Sequence, residues 1–332
     1  MKFLKQNEKV TLVILITSAL IMIIISIYLG VNSYSGAKKN LNNNIHVIDL
    51  GGYIEDNFDE NYKKYQNKIG HFDINFYDNN FMSSDIIIND WNILVNDINY
   101  KYNSYDAFII KGEPDTLTYT ASALSFMIEN LRKPIIITNE DLISSLIIAS
   151  NTDIPEVMIF SKGKLLRGCR AVSNSSNCQT SPNYPFLNTK NSLIPPRGST
   201  NFKLLSENIK VIIVKIFPGI DSKYLLNSIK KNRVDGVIFE LYGEGSMPIN
   251  QKMIKTINFL SDKGIIMVAV SQCKRISNIK LDIRLTEAGI LSGYDMTSEA
   301  AYAKLCFLMS NISDNKLIGQ LMEQSFRGEM TI

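Results

Sequence analysis

Apolar runs alternate with amphipathic stretches along most of the chain. The apolar runs predict buried strands at 45–50, 106–110, 134–138, 156–160, 211–217, 236–241 and 265–270. The stretches with helical spacing predict helices at 91–102, 120–131, 142–150, 224–231, 251–263 and 298–309. The segment 55–80 is rich in Asn, Asp and Tyr and predicts a loop. This alternation predicts an α/β fold with two open, mostly parallel sheets covered by helices.

The N-terminal segment has a different pattern. Residues 10–31 carry no charge and are rich in Ile and Leu. At about 1.5 Å per residue, a helix of this length spans roughly 33 Å, which is enough to cross a bilayer. The alternative is a cleaved signal peptide, but its apolar stretch is typically about 7–15 residues. We therefore expect a retained single-pass anchor.

The side of the membrane is poorly determined by the flanking charges. Lys2, Lys5 and Lys9 precede the span, and Lys38 and Lys39 follow it. The positive-inside rule then gives a slight preference for a lumenal or extracellular body.

Composition shifts and breaks in the pattern predict the domain organisation. A proline-rich break with Pro195, Pro196 and Gly198 separates the two alternating halves. The predicted segments are an N-terminal tail at 1–9, an anchor at 10–31, a linker at 32–44, a larger N-terminal domain at 45–190, a linker at 191–208 and a smaller C-terminal domain at 209–332.

Charge and residue counts exclude several classes of function. A net charge of +3 with 20% charged residues gives no basic surface for nucleic acid. The chain has only two histidines, His46 and His71, and its four cysteines do not have the spacing of metal ligands. We therefore predict no metal or other cofactor. Cys169 and Cys178 remain open as a disulfide pair if their loop faces an oxidising lumen.

Parallel sheets bind ligands outside the carboxyl ends of their strands. The loops that follow the predicted strands at 51–55, 111–116, 241–248 and 271–274 are therefore the candidate positions for a site. Open sheets of this kind carry many chemistries, so the pattern alone does not identify a reaction.

Longer stretches are more specific. The gapless segment 105–134, YDAFIIKGEPDTLTYTASALSFMIENLRKP, is accompanied by 164–171, 181–185, 241–245 and 287–301. Together these resemble the L-asparaginase family, nearest its cytosolic-type branch. The resemblance covers about 45–310 and implies a two-domain α/β homo-oligomer that takes L-asparagine or L-aspartate.

The resemblance also implies where a site should lie. The family hydrolyses the asparagine side-chain amide with two threonines, a lysine, an aspartate and a lid tyrosine. In this chain Tyr53 replaces the first threonine, Pro114 the second, and Ser173 the lysine. Asp115 matches the family aspartate, and Ser83 matches a serine that holds the substrate carboxylate.

The substituted positions leave alternatives open. Asp115 could instead be a turn residue that caps the following helix. Thr116 is the neighbouring hydroxyl and the alternative nucleophile. Tyr62 and Tyr65 are the candidates for a lid tyrosine, and the alignment does not choose between them.

Three functions follow from these positions. We predict a degenerate asparaginase-like binding, regulatory or structural module. The second hypothesis is an active amidohydrolase with a rearranged nucleophile, and the third is a sensor that binds asparagine or aspartate without turnover.

Overall fold

The structure is a computed structural model, and it describes residues 43–51, 57–77, 85–174, 177–180, 184–194, 198–273 and 278–331. Among these residues, no helix is both long and apolar enough to cross a bilayer. This finding corrects the predicted transmembrane helix at 10–31, together with the single-pass membrane localisation that depended on it. Residues 10–31 themselves lie outside the described residues.

The first half forms a six-stranded sheet. Its strands are β1 (Asn44–Asp49), β2 (His71–Phe76), β3 (Ala107–Lys111), β5 (Ile135–Thr138), β6 (Val157–Ser161) and β7 (Lys164–Arg167). They lie in the order β2-β1-β3-β5-β6-β7, and all neighbours are parallel except the β6–β7 hairpin. The helices of this half are α1 (Phe58–Tyr65), α2 (Ile88–Lys101), α3 (Leu117–Met127) and α4 (Leu142–Asn151).

The predicted loop at 55–80 is wrong over most of its described part. It contains helix α1 and strand β2, and β2 pairs in parallel with β1 at the edge of the sheet. No residue of α1 is buried, and β2 is only partly buried. A polar edge element lacks the apolar run by which central strands are found.

Short strands complete the connection between the halves. They are β4 (Ile128–Glu129), β8 (Ala171–Asn174), β9 (Asn177–Thr180) and β10 (Asn201–Phe202). β8 pairs with β9, and β10 pairs with β4, both in antiparallel fashion.

The second half forms a four-stranded parallel sheet. Its strands, in spatial order, are β11 (Val211–Lys215), β12 (Gly236–Leu241), β13 (Ile266–Ser271) and β14 (Ile290–Ser292). Its helices are α5 (Ser222–Asn232), α6 (Gln251–Asp262), α7 (Ile283–Glu287), α8 (Ser298–Asn311) and α9 (Asn315–Met322). The predicted alternation of strands and helices in this half is confirmed.

Helices α3 and α8 pack together and join the two halves in one core. Ten of the eleven residues of α3 are buried, because α3 is covered both by its own sheet and by α8. A Cβ added at Gly168 would lie 2.9 Å from the Val157 carbonyl oxygen and 3.1 Å from the Ala121 Cβ, so only glycine fits beside α3 there.

The C-terminal segment, residues 325–331, is held in place by buried charged side chains. Lys304 Nζ lies 2.7 Å from Glu329 Oε1, and both side chains are fully buried. Arg170 Nη1 pairs with Asp295 Oδ2 at 2.7 Å, and Arg170 Nε donates to the Gly328 carbonyl at 2.7 Å. These contacts fix the C-terminal segment against both halves of the fold.

Replacing Glu329 by Gln should destabilise the protein by about 3–5 kcal/mol, because a buried lysine charge would then have no counter-charge. Chemical denaturation of the purified chain measures this change. The control is Asp282→Asn, since the Arg284–Asp282 pair is largely exposed and its loss should leave the unfolding midpoint nearly unchanged. Equal midpoints for Glu329→Gln and wild type would contradict the assigned role of the pair.

Candidate functional site

The carboxyl ends of three neighbouring strands form one row. Asp49 of β1 pairs with Lys111 of β3, which pairs with Thr138 of β5. The loops after these strands therefore leave the sheet side by side. The Asp49 carboxylate accepts a hydrogen bond from the Gly51 amide at 3.0 Å. Gly51 has φ +93°, a left-handed conformation that favours glycine at the start of this turn.

The loop after β3 carries the family positions at 114–116. Gly112 donates its amide to the Thr138 carbonyl at 3.0 Å, which holds the start of the loop against β5. Pro114 is half-buried and Asp115 is exposed. Thr116, and not Asp115, is the N-cap residue of α3, and its side chain makes no capping hydrogen bond. Asp115 thus lies in the turn before α3, as the alternative interpretation predicted, but it is not the N-cap residue.

One lysine, Lys111, lies at the start of this loop. Lys111 is buried, and its Nζ donates to the Glu140 carbonyl at 3.0 Å. Its ammonium is thus directed toward the loop that follows β5. Ser173, at the family lysine position, is half-buried on β8, and β8 packs against α3. The structure therefore brings Ser173 and the helix that begins after Asp115 into one region.

Four further predicted positions differ in whether the structure describes them. Tyr53 and Ser83 lie outside the described residues. Tyr62 and Tyr65, the lid candidates, both lie on α1. The Tyr62 ring packs edge-on against Phe72 with 5.4 Å between ring centroids, so Tyr62 takes part in packing α1 onto the sheet.

A cavity of about 130 Å³ opens beside the first turn of α3. It is bounded by Tyr119 of α3, Val172 of β8, the carboxyl ends of β12 and β13, and the first residues of α8. Its volume matches roughly four water molecules at about 30 Å³ each. The predicted binding loop at 271–274 contributes Ser271, Gln272 and Cys273 to the wall.

Carboxylates give this cavity a negative lining. Ser298 donates its hydroxyl to Glu240 Oε1 at 2.5 Å, and Thr118 donates to Glu299 Oε1 at 3.5 Å. Burial, together with the nearby Glu299 and Glu240 carboxylates, raises the pKa of the Tyr119 phenol to about 12. Tyr119 is therefore a neutral hydroxyl at physiological pH.

The start of α8 faces the same cavity. Thr297 Oγ1 accepts the Ala300 amide hydrogen bond at 3.0 Å and caps the helix. Thr297 is therefore the N-cap residue of α8. The positive end of the helix dipole lies beside the carboxylates, so the cavity presents both signs of charge. An amino-acid zwitterion has this same combination of charges.

Most residues that line this cavity were not predicted from the sequence. Glu240 and Ser298 are separated by 58 positions in the chain. Residues 271–274 were predicted as part of a site because ligands bind outside the carboxyl ends of parallel strands. No local sequence pattern connects these residues with the start of α8.

Two further predictions concern cysteines and metals. Cys169 is a buried free thiol, so the Cys169–Cys178 disulfide is not formed. The Cys178 side chain is not among those described. Within the described ranges, no group of three or more His, Cys, Asp and Glu side chains is placed to hold a metal ion.

Comparison with known families matches both halves of the chain. The family model "Asparaginase, N-terminal" matches residues 44–193, and "Glutaminase/Asparaginase C-terminal domain" matches residues 210–322. L-asparaginase 1 of Escherichia coli (strain K12) is 34% identical over 277 residues, covering 75% of this chain and 82% of that protein. The 60 kDa lysophospholipase of Mus musculus is 29% identical over 284 residues, covering 76% of this chain and 50% of that protein.

A solved structure shows the same fold. The crystal structure of L-asparaginase I from Vibrio cholerae O1 biovar eltor superposes with a TM-score of 0.79 and 30% sequence identity. The match covers 87% of this chain and 99% of that chain. The fold is that of an asparaginase-type α/β protein. The chain belongs to the L-asparaginase family.

Replacing Thr297 by Ala should destabilise the protein by about 1 kcal/mol, because the Ala300 amide loses its capping acceptor. Thermal unfolding measures this change. Thr297→Ser keeps the hydroxyl and serves as the matched control, with a midpoint close to that of wild type. Equal losses in both variants would show that the threonine methyl group, and not the cap, matters at this position.

Proposed function

We propose that this asparaginase-family chain hydrolyses L-asparagine poorly or not at all and acts as a binding or regulatory module. The observation that carries this proposal is Pro114, which stands at the family's second threonine position in the loop between β3 and α3. Proline has neither a hydroxyl nor a backbone N–H. A reacting group and a donor for a developing oxyanion are therefore both absent at this position.

The substitutions at Ser173 and Tyr53 also favour a loss of hydrolytic activity. An amide is attacked by a hydroxyl only when a base takes its proton and fixed donors hold the oxyanion. Ser173 has no positive charge with which to replace the family lysine. Tyr53 places a bulky phenol where the family has a small aliphatic hydroxyl. Groups that act as one catalytic unit lose several orders of magnitude in rate when a single member is removed.

The rival function is an active amidohydrolase with Thr116 or Tyr53 as nucleophile. Thr116 is half-buried at the start of α3, one position beyond the exposed Asp115. A nucleophile must approach the carbonyl carbon to about 3–3.5 Å in a defined orientation. A shift of one residue along the loop changes that orientation, which is the reason for preferring the inactive module.

Purified protein given L-asparagine should release ammonia at the background rate. Coupled detection of ammonia measures this, with L-asparaginase 1 of Escherichia coli as the positive control. Asp115→Ala tests the retained family position and should likewise stay at background. Turnover by wild type that disappears in Asp115→Ala would overturn the proposed loss of activity.

A sensor is the second candidate, and the cavity beside Tyr119 favours it. This cavity combines the carboxylates of Glu240 and Glu299 with the start of α8. An ammonium group would lie against the carboxylates, and a carboxylate group against the helix N-terminus. The ligands inferred from the family are L-asparagine and L-aspartate, and family resemblance also supports a homo-oligomer.

Titration calorimetry with L-asparagine and L-aspartate should give binding heat for wild type. Cys273→Trp should abolish it, because an indole at this exposed position on the cavity wall occupies the space. Lys231→Trp, at an exposed position on α5, is the matched control and should bind like wild type. Absence of heat with either amino acid for wild type would remove the sensor hypothesis.

A further inference from the structure

A second cavity lies away from the strand-end loops, where the C-terminal segment meets the first sheet. Its volume is about 170 Å³, equivalent to roughly six water-sized atoms at about 30 Å³ each. One wall is apolar and includes Ile128, Leu131, Val157 and Phe326. The charged side chains in the lining are Glu156, Arg167 and Arg327.

Arg167 and Glu156 neutralise each other. Arg167 Nε and Nη2 donate to the two Glu156 oxygens at 2.5 Å and 2.9 Å. Arg167 Nη1 donates to the Tyr184 hydroxyl. Glu156 Oε1 also accepts the Leu193 amide at 2.6 Å. This pair therefore adds no net charge to the cavity.

Arg327 differs from Arg167 because it has no carboxylate partner within ion-pair distance among the described residues. Its Nε donates to the Ser125 carbonyl at 2.9 Å, and its Nη1 makes a longer contact of 3.4 Å with the Phe326 carbonyl. Nη2 makes no hydrogen bond to the described part of the chain. Burial lowers the pKa of the Arg327 guanidinium, but an arginine keeps its charge in proteins.

The Glu129 and Glu329 carboxylates favour the charged form of Arg327, but neither forms an ion pair with it among the described residues. Glu329 is already paired with Lys304 in the buried ion pair. Glu129 Oε2 accepts from Asn201 at 2.9 Å and lies beyond ion-pair distance from Arg327. Burial raises the pKa of the Cys169 thiol to about 12, so this neighbour is neutral at physiological pH. Among the described residues, Arg327 is therefore the charged group of the lining that has no carboxylate in direct contact.

We propose that this cavity is a binding site for a small aliphatic carboxylate, with Arg327 as its anion-binding group. The carboxylate would accept from Nη2 of Arg327, and the hydrocarbon part would lie against Ile128, Leu131 and Phe326. A guanidinium donates strongly to carboxylates. A small ligand with one charged end satisfies both the polar and the apolar parts of the wall.

Butanoate is the probe, and calorimetric titration of the purified full chain is the measurement. Wild type should bind butanoate, and it should bind the neutral isostere butanamide at least about tenfold more weakly, because a hydrogen bond to a charged group is lost. Arg327→Gln should weaken butanoate binding by a similar factor. Arg284→Gln removes an exposed arginine and is the matched control that should leave binding unchanged.

Ile194→Glu provides a variant that does not disturb the buried contacts. Ile194 lines the cavity and its side chain is 89% exposed, so glutamate is tolerated there and repels the ligand. Butanoate binding should again fall by at least about tenfold.

Three outcomes would overturn the proposal. They are absence of butanoate binding to wild type, equal affinity for butanoate and butanamide, and unchanged affinity in both Arg327→Gln and Ile194→Glu. Tighter binding of inorganic phosphate than of butanoate would indicate a general anion site. It would contradict the proposed contact between the hydrocarbon part of the ligand and the apolar wall.

Discussion

In the L-asparaginase family, as the resemblance implies, amide hydrolysis depends on a hydroxyl, and we propose that its position in this chain is at the carboxyl edge of the first sheet. The register of β1, β3 and β5 fixes that edge, and the loop between β3 and α3 leaves from it. At the decisive position the chain has Pro114, whose ring lacks both the hydroxyl and the amide hydrogen. We propose that the scaffold that positions a nucleophile is retained, while the group it would position is absent.

Neither of the two proposed binding sites requires turnover by this scaffold. The cavity beside Tyr119 lies between α3 and the start of α8, and the other lies against the C-terminal segment. Both use contacts between the halves of the fold: α3 packs on α8, and Arg170 binds Asp295 and Gly328. A ligand in either cavity touches elements that join the two sheets.

The sequence predicted the central strands and most helices, because these carry apolar runs or helical spacing. It missed α1 and β2, whose residues are polar and lie at the edge of the sheet. The substitutions at Pro114 and Ser173 could be predicted by aligning single residues with the family motifs. The Lys304–Glu329 pair and the Glu240–Ser298 contact could not be predicted in this way, because both depend on packing between distant segments.

Covalent capture tests the absence of a nucleophile most directly. Purified protein is incubated with an L-asparagine analogue that carries an alkylating group in place of the side-chain amide, and its intact mass is then measured. We expect an unchanged mass, because no activated hydroxyl meets the electrophile. A stoichiometric adduct that peptide mapping places on Thr116 or Tyr53 would contradict it.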